Sequence, residues 1–277
     1  MSKIKISELF YSIQGEGRYM GVPSVFLRTF GCNFTCGGFG MPKGMLSQER
    51  DQIKAEDFND YKSLPLVSTG CDSYASWDPR FKHLSPMLDT DTIVSSIMDL
   101  LPGNRWMDEH LVITGGEPLL GWQRSYPELL NHRNMIDLKE VTFETNGTQE
   151  LTDEFFNYLM EDAQVNEVTF SVSPKLSVSG ERWEDAIKPD IVRDYALLGY
   201  TYLKFVVTGE QDTEEIIEAV NTYRKAGFQG PVYLMPVGGV ENIYSLHNKK
   251  VAELAMKLGY RYSDRLQVPL FKNAWGT

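Results

Sequence analysis

The opening residues alternate between apolar and polar. Residues 3–13 do so loosely and close on Tyr11-Ser12-Ile13, Gln14-Gly15-Glu16-Gly17 is a turn signal, and residues 24–30 are β-branched and aromatic. This predicts two strands around a tight connection. From Gly37 to Thr69 the pattern dissolves into Gly, Pro, Lys, Asp and Gln, with at most one short helix near 48–58. Such an excursion is longer than most loops in compact domains. Further on the chain becomes periodic. Helical spacing over 91–101, behind Asp and Thr caps, stops at Pro102-Gly103-Asn104. Strands are predicted at 110–114, 140–144, 167–172, 202–207, 232–235 and 265–268, with helices at 126–135, 152–163, 190–198, 213–226 and 240–258. Pro127 is tolerable in the first turn of its helix.

Strand and helix alternating at short spacing read as parallel β/α units. The unusual residues sit just after the strands: Gly31-Cys32, then Gly115-Gly116-Glu117-Pro118, Thr145-Asn146-Gly147, Ser173-Pro174-Lys175, Pro236-Val237-Gly238-Gly239 and Pro269. In a parallel β/α barrel, loops at the carboxyl ends of the strands line the face where active sites form. About six units are too few for a closed eight-fold barrel. The expected fold is therefore α/β: a partial, open parallel β/α barrel, one domain over residues 1–277 with residues 37–70 inserted in it.

Composition narrows the partners. Hydrophobic content of 42% and charged content of 23% suit a globular protein with a sizeable core. A net charge of −11 argues against nucleic acid, whose binding needs clustered Lys and Arg. No run of eighteen apolar residues occurs, and Met1-Ser2-Lys3-Ile4-Lys5 lacks an apolar signal core, so the expected location is the cytoplasm, with no membrane partner.

The only three cysteines are Cys32, Cys36 and Cys71. Three thiolates can ligate three irons of a cubane 4Fe-4S cluster and leave the fourth for a ligand that is not protein. Plainer readings are three buried cysteines, or a zinc site completed by a histidine such as His83; the spacing alone does not choose among these. No histidine lies close in sequence to either half, which favours a chelated cofactor. In Gly115-Gly116-Glu117-Pro118, consecutive glycines allow close backbone approach. Strand-end amides and a carboxylate there can bind an amino acid's carboxylate and ammonium. A tight β-to-α turn is the bland alternative.

Together these motifs resemble the radical S-adenosylmethionine superfamily. More closely, Gln14-Gly15-Glu16-Gly17, Gly21-x-Pro23, Phe26-x-Arg28, Gly31-Cys32-Asn33, Thr114 to Pro118, Glu144 to Gly147, Ser171-x-Ser173-Pro174-Lys175 and Leu266-Gln267-Val268 resemble the 7-carboxy-7-deazaguanine synthase family, nearly end to end and in order. The resemblance implies conversion of 6-carboxy-5,6,7,8-tetrahydropterin to 7-carboxy-7-deazaguanine, by ring contraction with loss of ammonia. A flavodoxin-type donor would reduce the cluster, which would cleave S-adenosylmethionine to methionine and a 5′-deoxyadenosyl radical. It further implies that Cys32, Cys36 and Cys71 hold the cluster and that Gly115, Gly116 and Glu117 face the methionyl ammonium. Asn146, Ser173 and Lys175 would reach the ribose and methionyl carboxylate. Arg28 would grip the substrate carboxylate through paired hydrogen bonds. Gln14 and Glu16 would read the pterin edge, with Thr114 and Gln267 beside them. A homodimer is implied by the resemblance alone.

The chain departs from that family between its second and third cysteines, where two residues are usual and residues 37–70 intervene; Phe39 stands where the third thiol ordinarily falls. Cys71-Asp72-Ser73 keeps the Cys-Asp-Thr-like ending, which reads as an insertion. Closing the added loop costs on the order of 2–3 kcal/mol. Ser73 offers the hydroxyl that the family's threonine can give to Mg²⁺. Two other readings remain: a glycyl-radical-type activating enzyme acting on a protein partner, and a non-catalytic, zinc-stapled binding protein.

Overall fold

The structure, a computed structural model, describes residues 2–277. Its strands are β1 (Lys3–Ile13), β2 (Pro23–Thr29), β3 (Met87–Asp89), β4 (His110–Gly115), β5 (Glu140–Thr145), β6 (Glu167–Val172), β7 (Tyr200–Val207), β8 (Val232–Pro236) and β9 (Arg261–Tyr262). They form one sheet in the order β3-β1-β2-β4-β5-β6-β7-β8-β9. β1 pairs antiparallel with both β2 and β3, while every pairing from β2 to β9 is parallel. The helices are α1 (Thr90–Leu100), α2 (Tyr126–Leu130), α3 (Asp153–Asn157), α4 (Trp183–Ala186), α5 (Pro189–Leu198), α6 (Thr213–Lys225), α7 (Glu241–Leu258) and α8 (Gln267–Phe271). The expected open parallel β/α arrangement is the one found, with β1 running antiparallel beside β2 and the short β3 completing that edge.

Alternation along the strands separates two jobs. In β2, Val25 and Leu27 point into the core shared with the helices, while Phe26 and Arg28 face the opposite side. In β7, Leu203, Phe205 and Val207 go to the core, and Lys204 and Val206 face a cavity. Successive side chains of a strand must point to opposite faces, so one strand both holds the fold and furnishes the site. The helices meet the core through apolar positions at helical spacing, as Ile216, Ala219, Val220 and Tyr223 do on α6.

Residues 37–70 obey a different logic. The one short helix allowed near 48–58 does not form as an α-helix, and short 3₁₀ turns occupy Arg50–Gln52, Ala55–Asp57 and Tyr61–Ser63. Glu49 reaches across the base of the excursion instead. Its carboxylate accepts from the amides and hydroxyls of Ser68 and Thr69 at 2.8–3.0 Å. Ser47 N donates to Gly37 O, and Gly70 N donates to Phe39 O, both at 2.7 Å. This zipped neck returns Cys71 to the neighbourhood of Cys36. Each such bond contributes about 0.5–1.5 kcal/mol, or about 1.5–3 kcal/mol to a carboxylate. Together they are of the size needed to offset the loop's closure cost.

Three boundaries differ from the sequence reading. The strand expected at 265–268 is instead the start of α8, and the pairing to β8 is made earlier, by Arg261 and Tyr262. Val268 is fully buried and Pro269 sits within the first turn of α8, where its missing N–H costs nothing. β3 was not expected, because three residues carry no readable alternation. The helix expected over 152–163 is α for one stretch and then widens into a π turn over Tyr158–Asp162.

Candidate active site

One cavity opens at the carboxyl ends of the parallel strands. It is lined by Arg28 from β2, Thr114 and Gly115 from β4, Glu144 and Thr145 from β5, Ser171 from β6 and Lys204 from β7, with Glu8 contributed by β1. Arg28 lies opposite Thr114 in the β2–β4 register, and Glu144 opposite Ser171 in that of β5–β6. A flat run of polar groups across adjacent strands results from the pleat, since paired residues share a face.

The three thiols occupy one end. Cys32 and Cys71 pack with buried Cys36 around Phe34, Phe39 and Ala186. Cys36 adopts φ +48°, a left-handed conformation unfavourable for a side chain with a Cβ. A carboxylate holds that bend: Glu181 accepts from the amides of Thr35 at 2.9 Å and Cys36 at 2.7 Å. Burial pushes the Cys32 thiol up to about 12, and raises Cys36 and Cys71 as well. Thiols so placed stay protonated until a cation ligates them. Among the described residues, no three His, Cys, Asp or Glu side chains converge as a single ion requires. His83 is elsewhere, its ring nitrogens facing the backbone carbonyls of Arg80 (3.2 Å) and Phe58 (3.1 Å). Three soft donors sharing one wall, without a fourth, fit an iron–sulfur cluster better than zinc.

The glycine pair after β4 explains how the next wall forms. A Cβ on Gly116 would lie 2.3 Å from Gly31 O and 2.8 Å from Cys32 Cβ; one on Gly115, at φ +146°, would lie 2.3 Å from Thr29 O. Only glycine lets this loop press against the cysteine loop, where Glu117 N donates to Gly31 O at 2.7 Å. Glu117 itself does not line the cavity. Its fully buried carboxylate accepts from Asn146 N (2.6 Å), Thr145 Oγ1 (2.8 Å) and Leu119 N (3.0 Å). The expectation that it faces an ammonium is therefore corrected: it is a brace between the loops after β4 and β5. Burial raises its pKa to about 7 against the pull of those donors. Glu117→Gln is expected to lower unfolding stability by about 2–3 kcal/mol in urea, because its amide N–H₂ would meet donors.

At the other end lies a charged network. Glu16 Oε2 meets Lys204 Nζ at 2.5 Å, and its Oε1 meets Arg265 Nε at 3.2 Å and Gln267 Nε2 at 2.7 Å. Burial opposes the charge of Glu16, but the fields of Lys204 and Arg265 win and hold its pKa down to about 2. Arg265 continues to Asp72 Oδ2 and Gly238 O, each at 2.5 Å. Gln14 donates to Glu144 Oε1 at 3.1 Å and Thr114 Oγ1 to Glu144 Oε2 at 2.9 Å. Arg28 Nε is 3.0 Å from Glu8 Oε2, and Arg28 NH1 donates to Ser73 Oγ at 3.1 Å. Between the two ends, Lys175 Nζ donates to Ser173 Oγ at 3.0 Å and Asn146 Nδ2 to Asn33 Oδ1 at 2.8 Å.

Gln14, Glu16, Arg28, Cys32, Cys36, Cys71, Ser73, Thr114, Gly115, Gly116, Asn146, Ser173, Lys175 and Gln267 all line this cavity. Sequence reading missed Lys204, Arg265, Asp72, Glu8 and the role of Glu144. Lys204 carried a signal: a lone cation inside the apolar strand YTYLKFVV needs a buried partner.

An open β/α sheet with three thiols and a Gly-Gly-Glu-Pro loop at its carboxyl edge is the arrangement of a radical S-adenosylmethionine enzyme. The 7-carboxy-7-deazaguanine synthase of Halobacterium salinarum is 33% identical over 291 residues, covering 98% of this chain and 91% of that protein. The chain belongs to the 7-carboxy-7-deazaguanine synthase family. The synthase of Pyrobaculum aerophilum is 27% identical, covering 99% of this chain and 97% of that one. The crystal structure of QueE from Escherichia coli shares the fold, with a TM-score of 0.57 and 19% identity over 95% of this chain and 94% of that one. No family model matches the sequence.

Proposed function

We propose that this chain converts 6-carboxy-5,6,7,8-tetrahydropterin to 7-carboxy-7-deazaguanine as a radical S-adenosylmethionine lyase. The observation that carries this reading is the joining, in one cavity, of a three-thiol wall to a polar floor with paired cations and carboxylates. When bound, the cluster and S-adenosylmethionine supply one-electron cleavage of the sulfonium and abstraction of a substrate hydrogen. Cys32, Cys36 and Cys71 would hold the cluster. The Gly115-Gly116 backbone edge takes the methionyl ammonium, and Asn146, Ser173 and Lys175 take the ribose and methionyl carboxylate. Arg28 takes the substrate carboxylate, its Nε edge occupied by Glu8 and the remainder of its fork turned to the cavity wall at Ser73.

Glu16 has acceptor capacity for one more donor beyond Lys204, Arg265 and Gln267, which suits an N–H of the pterin edge. Gln14, Thr114 and Gln267 flank it. Ser73 would hold Mg²⁺ through its hydroxyl in this reading, and the Arg28 contact to Ser73 would have to yield. Residues 1–277 act as one domain with the insertion 37–70 within it. Among the described residues no helix is long and apolar enough to cross a membrane. A cytoplasmic location, a flavodoxin-type reductant and a homodimer complete the proposal on family grounds.

Anaerobically reconstituted protein given the carboxy-tetrahydropterin, S-adenosylmethionine and a reductant, with and without Mg²⁺, is expected to release the deazapurine. Cluster-replete protein that forms none would overturn the reading.

A further inference from the structure

The insertion has no part in that scheme, yet together with the chain just beyond Cys71 it builds a small core apart from that of the sheet. Ala55, Tyr61, Leu64, Val67, Tyr74, Ala75 and Phe81 are buried together, with Ile53, Phe58 and Leu84 around them. Apart from one residue, every member of this cluster lies between Ile53 and Leu84. The exception is Trp275, whose ring centroid is 5.6 Å from that of Tyr61 and 5.5 Å from that of Tyr74, edge-on to the latter. Tyr74 is fixed in turn by donating to Pro65 O at 2.9 Å, and Tyr61 by donating to Ala75 O at 3.0 Å. Tyr61 of the insertion and Tyr74 just after Cys71 therefore form an aromatic seat, and a distant part of the chain fills it.

Residues 273–277 around that tryptophan line the active-site cavity on the side of Glu8, Phe10, Phe26 and Arg28. The Gly276 backbone lies against Glu8, whose carboxyl is held by burial above its ordinary value despite the opposing pull of Arg28 and Gly276, and Lys62 of the insertion lies beside Gly276. The segment thus closes the wall where Glu8 stands, and Asn273 Nδ2 ties it to Gly239 O at 2.9 Å. Two features weaken its seat. Lys272 and Asn273 are consecutive non-glycine residues at φ +56° and +55°, a left-handed bend that strains Lys272 and that asparagine tolerates. The indole N–H of Trp275 is buried without an acceptor, which offsets part of the gain from seating the ring.

We propose that the segment 273–277 is a strap over the pterin end of the cavity, that the insertion together with Tyr74 is its receptor, and that Trp275 is the latch. The strap opens to admit substrate and, once closed, keeps Glu8 and Arg28 in register with the substrate carboxylate. Trp275 is on this account a positioning residue, and the inference rests on the pterin reading of the site.

The test compares cluster-loaded wild type with Trp275→Ala, Trp275→Phe and Tyr61→Ala, each checked for iron content, visible spectrum and thermal midpoint. If opening the latch leaves the closed form about one-tenth populated, Trp275→Ala raises KM for the carboxy-tetrahydropterin roughly tenfold with kcat little changed. Trp275→Phe keeps the apolar ring and sheds the orphan N–H, so it should restore the wild-type KM or lower it. Tyr61→Ala should mimic Trp275→Ala, and the two should not add. Independently of turnover, pterin should protect wild type from tryptic cleavage after exposed Lys272, and fail to protect Trp275→Ala. An active wild type with KM and cleavage unaltered in Trp275→Ala, or additive effects, would overturn the strap alone. A wild type that neither binds nor converts the pterin would overturn the functional reading along with it.

Discussion

Cys71→Ala protein, reconstituted anaerobically, is expected to keep its fold, retain no stable 4Fe-4S cluster and convert pterin no faster than the uncatalysed background. Two thiolates cannot hold three irons, and no replacement donor stands nearby: among the described residues no other His, Cys, Asp or Glu grouping is poised for metal. The chain has no fourth cysteine to recruit. Iron and sulfide analysis, with the visible and paramagnetic-resonance spectra, reads the outcome directly. A variant that kept a full cluster would show that Cys71 is a bystander and that residues 37–70 do not merely interrupt the usual three-thiol motif. Unfolding stability should change little, since the metal-free site holds a protonated, half-buried thiol that alanine replaces at the cost of a small void.

That outcome matters because the insertion is where sequence pattern and family habit disagree. The thiol is carried far along the chain from its partners, and only the neck bonds at Gly37, Phe39, Ser47, Glu49 and Thr69 bring it back. None of these has a periodic signature. They are turn-to-turn contacts between residues with short side chains and one carboxylate, so no strand or helix rule could announce them.

Elsewhere the chain was legible in proportion to its regularity. β6 and α6 were readable because period-two and 3.6-residue patterns persist over whole elements. The cavity's glycine-rich and polar strand ends were readable for the same reason, since the end of a strand marks where its loop begins. The last strand was not. Residues 265–268 alternate like a strand, but Arg265 is drawn inward by Glu16 and Asp72, and the chain then coils into α8. Charge pairing between residues far apart in sequence, as for Glu16 and Arg265 with |i−j| = 249, leaves no local trace. Glu117 shows the converse. The motif marked the right loop, while the job of its carboxylate depended on which backbone amides the neighbouring loop happened to present.

Glu16→Gln should have the largest effect of any single change outside the thiols. The glutamine keeps the shape but removes the one carboxylate between Lys204 and Arg265, which are 4% and 9% exposed. Arg265 retains Asp72, whereas Lys204 is left facing Glu144 at longer range. Breaking a buried pair in this way costs about 3–5 kcal/mol, more than the pair adds over an apolar substitute, because a desolvated charge is left behind. Glu16→Gln/Lys204→Met should accordingly be more stable than Glu16→Gln, with a coupling of about 1–3 kcal/mol in urea unfolding. The pH dependence gives a second handle. A carboxyl held at about 2, below its ordinary 4.5, contributes stability that is complete above the higher value and is lost as pH falls toward the lower. Wild type should therefore lose stability between about pH 4.5 and pH 2 along a slope that Glu16→Gln lacks. If the two proteins gave parallel acid limbs, or the double variant were no more stable than the single, the lysine would not be relying on Glu16 and the polar floor of the cavity would be organised by Glu144 instead.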